Sequence, residues 1–269
     1  MTKIVKVPGI NGLNKTKGCE KAPEEILKSL EEIYTSESGK EINSKELDIS
    51  EISFENSNIE LMNKEIYEKS LKFIKENNKL IFLGGDHSIS FSTGKAFLED
   101  CLNKGKEPCL IVFDAHPDLM KPMKQSTHEE WLRALIEDGF PAQNILIIGL
   151  RNSDKTELEF IRKKGIKTMS CNRFLEDIEN AMDTITEFAY NKQAYLSLDI
   201  DSVDPAFAPA TGYKVPGGLS SRQIIYAVQR INRIKDLKII DIVEINPDKD
   251  KKFEMITTKL GAKILSEVV

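Results

Sequence analysis

The sequence of 269 residues lacks several features that mark common classes of protein. It contains neither GxGxxG nor GxxxxGK[ST], the glycine-rich loops that bind dinucleotides and nucleotide phosphates. No apolar run approaches the ~20 residues of a membrane helix, and the N-terminal segment has no apolar core of a signal peptide. The four cysteines form no CxxC pair, so we expect reduced, mostly buried thiols. These absences favour a cytoplasmic protein without a membrane partner.

Charge of one sign is not in large excess either. The chain has 38 basic and 43 acidic residues, which are interspersed and give a net charge of -5. Since nucleic-acid binding needs a basic stripe or patch, no nucleic-acid partner is expected. A hydrophobic content of 40% is enough for one substantial core, and single α/β domains commonly reach ~250 residues. With no internal repeat or linker, residues 1–269 are predicted to form a single domain.

Short apolar runs alternate with longer amphipathic ones along most of the chain, which is typical of a parallel sheet with helices on both faces. Runs too continuously apolar for a strand with one wet face predict strands at 4–7, 80–83, 109–113, 145–148, 166–169, 195–200 and 237–242. Helical spacing of apolar residues predicts helices at 65–75, 130–136, 157–162, 174–189, 222–231 and within 253–269. Residues 36–63, rich in Ser, Glu and Asn, are predicted to be an irregular surface stretch.

The chain has only three histidines, and each stands in a short acidic or glycine-marked cluster. His87 lies in GGDHS (84–88), His116 in DAHPD (114–118) and His128 in STHE (126–129). Two further acidic segments, 197–205 and 242–247, also stand at the ends of predicted strands. Because ligands of open parallel sheets bind beyond the carboxyl ends of the strands, these distant segments are expected to meet at one edge.

The residue types in these clusters are those of a divalent-metal centre. Residues two apart on a strand share a face, so Asp114 with His116 and Asp199 with Asp201 could each reach one point. Asp118 and His87 could join them from adjacent loops, which gives four carboxylates and two imidazoles. Such a cluster repels itself without cations, and two divalent ions would neutralise it and leave open positions for a bridging water. Oxygen and nitrogen ligands without sulfur favour manganese, with iron, cobalt or zinc as alternatives.

A single acidic cluster is often no more than a strand end with capping carboxylates, but several at successive strand ends favour a metal site. These segments resemble the arginase and agmatinase family of ureohydrolases, most specifically at SLDIDSVDPAFAPATG (197–212) and also at DIVEINP (241–247). Similarity at Gly149-Leu150-Arg151 and at Ala22-Pro23 extends the resemblance over nearly the whole chain. The resemblance implies an α/β fold, a three-layer α/β/α sandwich with a mainly parallel sheet. It also implies two Mn2+ per chain and a homo-oligomer, a trimer or hexamer.

The resemblance also implies roles for individual residues. One ion would be held by His87, Asp114, Asp118 and Asp199, and the other by His116, Asp114, Asp199 and Asp201, so that Asp114 and Asp199 bridge. A hydroxide between the ions would attack the guanidinium carbon, and Asp118 would orient it and carry its proton to the leaving amine. Glu244 would hold the guanidinium, and His128 would shuttle protons to solvent. The products would be urea and an amine.

Three segments depart from the family pattern. His128 is followed by Glu129 where the family has glycine, and a helix could begin there with Ser126 or Thr127 as its N-cap, which would make His128 a surface residue. The family's Arg-Asp-x-Asp pattern appears here as Arg151-Asn152-Ser153-Asp154. Its second aspartate meets the α-amino group of arginine in arginases, so Asp154 could do the same, or it could cap the following helix. The loop 119–125 carries two lysines, Lys121 and Lys124, which could attract an acidic substrate tail or be solvated.

We therefore expect a manganese hydrolase of a small guanidino compound, with agmatine favoured over arginine. Guanidinobutyrate and formiminoglutamate are the alternative substrates within the family. Related folds also support single-zinc deacetylases, which would not need His87 and Asp118 as ligands, so metal stoichiometry separates the two. An alternative of a different class is a metal-binding scaffold that has lost turnover.

Overall fold

A computed structural model describes residues 2–54 and 57–269, and its centre is a sheet of eight strands that all run parallel. The strands are β1 (Thr2–Val7), β2 (Asp48–Glu51), β3 (Lys79–Gly84), β4 (Pro108–Phe113), β5 (Ile145–Leu150), β6 (Lys167–Ser170), β7 (Gln193–Asp199) and β8 (Leu237–Val243). Their order across the sheet is β2-β1-β3-β8-β7-β4-β5-β6.

Ten α-helices lie among the described residues. They are α1 (Ala22–Leu30), α2 (Ile59–Glu76), α3 (Ile89–Asn103), α4 (Trp131–Glu137), α5 (Lys155–Lys164), α6 (Cys171–Glu176), α7 (Ile178–Phe188), α8 (Ser221–Ile231), α9 (Pro247–Asp250) and α10 (Ile256–Ser266). In that same part of the chain, no helix is long and apolar enough to cross a membrane.

Side chains of the sheet alternate between two hydrophobic cores, one on each face. Ile111 of β4 packs into the core formed with α1, α6, α7, α8 and α10, whereas its neighbour Val112 packs into the core formed with α2, α3, α4 and α5. Strands buried on both faces need continuous apolar sequence, which is why these runs are readable in the sequence. The predicted α/β/α sandwich with its parallel sheet is confirmed.

The stretch 36–63 was expected to be irregular, and this prediction is wrong in part. It contains β2, which pairs with β1, and the first residues of α2. Strand β2 has the sequence DISE and is largely exposed, so it lacks the apolar run on which strand prediction depends. Two residues of this stretch, 55 and 56, lie outside the described part of the chain.

Several helices also differ from expectation, and α1 and α9 were not predicted at all. The helix predicted over 174–189 is divided into α6 and α7 at Asp177, whose extended backbone (φ -151°) ends the first and whose side chain accepts from Asn180 N to cap the second. Helix α3 was not predicted, because small polar residues such as Ser90, Ser92 and Thr93 are buried on most of its circumference and no apolar stripe forms.

Four strands that are adjacent in the sheet, β3, β8, β7 and β4, carry the segments singled out above. Four of these segments lie at the carboxyl ends of these strands, and the segment 126–129 lies in the loop between β4 and α4. The order of strands therefore brings together residues that lie up to 157 positions apart, such as His87 and Glu244. This edge of the sheet is where a ligand of an open parallel sheet is expected.

Candidate metal centre

The centre is built around the buried imidazole of His87, whose Nδ1 faces three carboxylates. It lies 3.1 Å from Asp114 Oδ2, 3.1 Å from Asp118 Oδ2 and 3.2 Å from Asp199 Oδ2. The side chains of His87 and Asp114 are each only 1% exposed. One nitrogen and three oxygens thus converge on a small and largely buried volume.

A second group adjoins the first through Asp114. His116 Nδ1 lies 2.9 Å from Asp201 Oδ2 and 3.6 Å from Asp114 Oδ1. Asp114 therefore presents Oδ2 to His87 and Oδ1 to His116. Each group, His87 with Asp114 and Asp199, or Asp114 with His116 and Asp201, has its ligand atoms within 4.8 Å of one another. Asp114 is thus the residue that the two groups have in common.

The paired residues converge by a different route from the one expected. Strand β4 ends at Phe113 and β7 at Asp199, so neither pair sits on a continuous strand. Instead Asp114 Oδ1 accepts from the backbone N of His116 (2.7 Å), and Asp199 Oδ1 accepts from that of Asp201 (2.7 Å). Both are turns closed by an aspartate side chain on the backbone two residues later. The strand alternation argument is wrong for these pairs, although the convergence is observed.

The orientation of His87 is fixed from behind by two neighbouring strands. Asp241 on β8 accepts from Ser197 Oγ on β7 (2.8 Å), which uses the only hydrogen of that hydroxyl. Ser197 Oγ must then accept from His87 Nε2, 2.9 Å away. In the neutral imidazole this leaves the Nδ1 lone pair facing the carboxylates, as a metal ligand requires.

Two buried polar atoms of the cluster lack hydrogen-bond partners, and this shows whether a cation fits there. Among the described residues, His87 Nδ1 and Asp114 Oδ2 have no hydrogen-bond partner, although they lie 3.1 Å apart. Buried polar atoms are almost always paired. A donor set of imidazole nitrogens and carboxylate oxygens suits a divalent cation, which would satisfy both atoms at once. The residues present therefore fit a metal centre.

The electrostatics of the cluster also fit a metal centre. Burial opposes charge on the two imidazoles, yet contacts with carboxylates raise the pKa of His87 well above its ordinary value and that of His116 to about 12. Burial and the charge of neighbouring aspartates raise the pKa of Asp118 to about 7 and that of Asp199 well above its ordinary value. Crowded carboxylates hold protons that cations can replace.

Asp118 is held by the helix that follows the loop. Its backbone is left-handed (φ 52°), and its Oδ2 accepts from Trp131 Nε1 at 2.8 Å. The indole ring of Trp131, the first residue of α4, lies 4.5 Å from the His87 ring between centroids. The only tryptophan of the sequence is thus in contact with the cluster.

Glu244 and His128 form a pair beside the cluster. His128 Nδ1 lies 2.9 Å from Glu244 Oε1, and the backbone N of His87 donates to the same oxygen at 3.0 Å. Burial lowers the pKa of His128, but the hydrogen bond and charge of Glu244 raise it to about 9. Glycine at 212 allows this arrangement, because a Cβ there would lie 3.1 Å from Glu244 Oε2.

The expectation that Ser126 or Thr127 caps the next helix is wrong. Residues 128–130 form a turn, α4 begins at Trp131, and its N-cap is Glu130. Thr127 instead donates through its backbone N and its Oγ1 to Glu130 Oε2. His128 is 5% exposed, so it is a buried residue rather than a surface one.

The cluster opens into a cavity of about 190 Å³. Its lining comprises acidic, imidazole, aromatic, amide and thioether side chains: His116, Asp118, Met120, His128, Glu129, Asn152, Glu157, Asp199, Asp201, Tyr213 and Glu244. Among the expected site residues, Asp154 is not part of this lining. It caps α5 through bonds from Thr156 N and Oγ1 (2.7 and 2.6 Å), in a capping box with Glu157. The exposed Lys121 and Lys124 are also outside the lining.

Sequence reasoning did not single out several residues that shape the site. Asn152 and Glu157, beside Asp154 in the sequence, line the cavity in its place. Arg151, noted only as part of a similar segment, donates to the backbone oxygens of Asp201 (2.6 Å) and Val215 (2.8 Å) and so ties two loops together. The position of Arg151 directly after the end of β5, at the edge of the sheet where the site lies, was the signal that could have identified it.

Comparison with known proteins gives a match along the chain. The sequence model of the arginase family matches residues 2–269. The N(1)-aminopropylagmatine ureohydrolase of Thermus thermophilus is 32% identical over 197 residues, which is 72% of this chain and 64% of that protein. The mitochondrial arginase of Medicago truncatula is 30% identical over 207 residues, 76% of this chain and 59% of that protein. The match spans less than two thirds of the length of either relative.

The fold is also similar to that of solved structures. Proclavaminate amidino hydrolase from Streptomyces clavuligerus superimposes with a TM-score of 0.88 at 24% identity, over 99% of this chain and 90% of that chain. At this identity the likeness concerns the fold alone.

Proposed function

Because the chain belongs to the arginase family, we propose that it is a metal-dependent hydrolase that cleaves a C–N bond of a small guanidino compound to urea and an amine. The observation that carries the proposal is the shared carboxylate of Asp114, which faces His87 with one oxygen and His116 with the other. The cavity that opens over this cluster is lined by the buried Glu244, a carboxylate suited to a guanidinium.

We assign two manganese ions to the cluster, with iron, cobalt and zinc as alternatives. The ligands of the first ion would be His87, Asp114, Asp118 and Asp199, and those of the second His116, Asp114, Asp199 and Asp201. Bound there, the ions would supply an activated water molecule and stabilise negative charge that develops on the substrate.

The protein's own groups would bind the substrate and move protons. Glu244 is held by the backbone N of His87 and by His128, so its carboxylate is fixed before a guanidinium arrives. Asp118 lies beside His87 and lines the cavity, so its carboxylate would take a proton from the attacking water and give it to the leaving nitrogen. His128 lies in the cavity wall and would exchange that proton with solvent.

Among guanidino substrates we favour agmatine over arginine. Asp154, the residue that could meet the α-amino group of arginine, is exposed and engaged in capping α5. Lys121 and Lys124, which could pair with a substrate carboxylate, do not line the cavity. Guanidinobutyrate and formiminoglutamate are the remaining candidates of the same class.

The test is urea release by manganese-loaded protein from agmatine, arginine and guanidinobutyrate, with formamide assayed for formiminoglutamate and bound metal measured in parallel. We expect turnover of one substrate by protein that binds two metals per chain. Asp199→Ala should lose both metal binding and turnover. The matched control is Asp236→Ala, an exposed carboxylate just before β8 at the opposite edge of the sheet. An Asp199→Ala protein that keeps full activity, or a wild type that binds one metal, would overturn the assignment.

A further inference from the structure

Glu129 stands at the mouth of the cavity, at the position that follows His128. Its side chain is 40% exposed, and its Oε1 accepts from the Tyr213 hydroxyl at 2.9 Å. The Tyr213 ring stacks on His128 (5.8 Å between centroids, 21° between planes) and meets His116 edge-on (5.9 Å). The backbone oxygen of Glu129 accepts from Met120 N at 3.2 Å, which holds the turn in place. Glu129 is therefore a positioned charge and not a freely solvated one.

Apart from the imidazoles of His116 and His128, the charged side chains of the lining are carboxylates, and no lysine or arginine of residues 2–54 and 57–269 lines the cavity. Once the metal-cluster aspartates are set aside, the carboxylates that remain are Glu129, Glu157 and Glu244. Both oxygens of Glu157 already accept, from the backbone N of Leu119 and of Asp154. Across the described ranges no hydrogen bond engages Glu129 Oε2, so this carboxylate can pair with a ligand.

Glu129 and Glu244 flank the same imidazole. Glu129 Oε1 lies 4.0 Å from His128 Nε2, and Glu244 Oε1 lies 2.9 Å from His128 Nδ1. The two carboxylates are thus separated by one ring and two polar contacts. A guanidinium bound to Glu244 and a cation bound to Glu129 would need only a short alkyl chain between them.

We propose that Glu129, positioned by Tyr213, selects guanidino substrates whose far end carries an ammonium group and disfavours those that end in a carboxylate. This inference rests on the proposed function, because it assumes that the guanidinium occupies the end of the cavity at Glu244. The attraction of the carboxylate for the ammonium acts in a partly enclosed cavity, where opposite charges interact more strongly than in water. The same charge would repel a carboxylate tail.

The first test compares three guanidines with the same four-carbon chain: agmatine, 4-guanidinobutyrate and butylguanidine, whose tails are positive, negative and neutral. In Glu129→Gln the ratio of kcat/KM for agmatine to that for butylguanidine should fall about tenfold. The ratio for guanidinobutyrate should rise. Tyr213→Phe, which removes only the hydrogen bond, should change both ratios in the same directions by a smaller factor.

The matched control is Glu137→Gln. Glu137 is an exposed carboxylate at the last residue of α4, where it pairs with Arg133 and does not line the cavity. Both ratios should stay at the wild-type values in this variant. Equal losses for the three substrates in Glu129→Gln would overturn the proposal, because a structural role does not discriminate tail charge.

A binding measurement separates failure of this inference from failure of the proposed function. Trp131 reports on the site through its contact with His87, and it is the only tryptophan. Its fluorescence can follow titration of manganese-loaded protein with agmatine and with butylguanidine. A preference of about tenfold for agmatine that disappears in Glu129→Gln supports the inference even if no urea is released. A preference that persists in the variant overturns it even if the wild type is active.

Discussion

The pair of His128 and Glu244 allows a quantitative prediction for the metal-free protein. The hydrogen bond between them raises the pKa of His128 to about 9 although burial opposes it, compared with about 6.5 for a free imidazole. The difference corresponds to about 3 kcal/mol of folding stability. Because the pKa is raised in the folded state, this contribution is complete below pH ~6.5 and is lost as pH rises through about 9.

The perturbation that tests this value is Glu244→Gln. The amide keeps an acceptor for His128 but removes the charge, so burial should bring the pKa of His128 to its ordinary value or below it. The variant should therefore be less stable than the wild type at pH 6, and the difference should shrink by about 3 kcal/mol by pH 10. Asp86 and Asp118 also favour the charged imidazole from neighbouring segments, and both remain in the variant.

Two assays check the prediction. NMR of the histidine rings should show a resonance of His128 with a midpoint near pH 9. Urea denaturation with a chelator present gives the stability difference at each pH. A His128 midpoint at or below ~6.5, or the same midpoint in Glu244→Gln, would refute the reasoning.

Three further predictions follow from single contacts. Asp154→Ala removes the N-cap of α5 and should cost about 1 kcal/mol, a fall in Tm of about 2–4 °C; KM for agmatine and arginine should not change, and a raised KM would indicate a substrate contact instead. Gly212→Ala places a Cβ 3.1 Å from Glu244 Oε2 and should raise KM about tenfold in steady-state assays, which corresponds to a loss of about 1.4 kcal/mol of substrate-binding free energy. An unchanged KM would show that Glu244 can move aside. Trp131→Phe removes the 2.8 Å hydrogen bond to Asp118 and should lower kcat about tenfold. The metal content measured by mass spectrometry should stay at two per chain. Loss of metal would mean that Trp131 stabilises the metal centre as a whole and does not only position Asp118 for proton transfer.

Much of the fold could be predicted because its strands are buried on both faces. Continuous apolar runs identified all the central strands, and the acidic and histidine clusters follow their carboxyl ends. Strand β2 escaped prediction because an exposed edge strand needs no apolar run. The edge strand β6 was predicted from an apolar run, but only Met169 of its four residues is buried.

Parts of the site depend on neighbours in space that sequence spacing does not reveal. Ser197 supports His87 only because β7 pairs with β8 in the register that sets it opposite Asp241, and the order of strands was not predictable. Asp154 and Asn152 are two residues apart, yet only Asn152 lines the cavity. The turn after β5 decides between them, and the sequence does not specify its geometry.

The two outer strands of the sheet have a consequence for behaviour in concentrated solution. An open parallel sheet leaves a row of unpaired backbone groups at each edge, which invites another chain to add a strand. Here the edges are strands of four residues, β2 with acidic ends and β6 with a lysine, and most of their side chains are exposed. Asp48 and Glu51 of β2 also pair with lysines of β1. Such short, charged edges oppose the recruitment of further strands, so the sheet is protected against edge-to-edge aggregation.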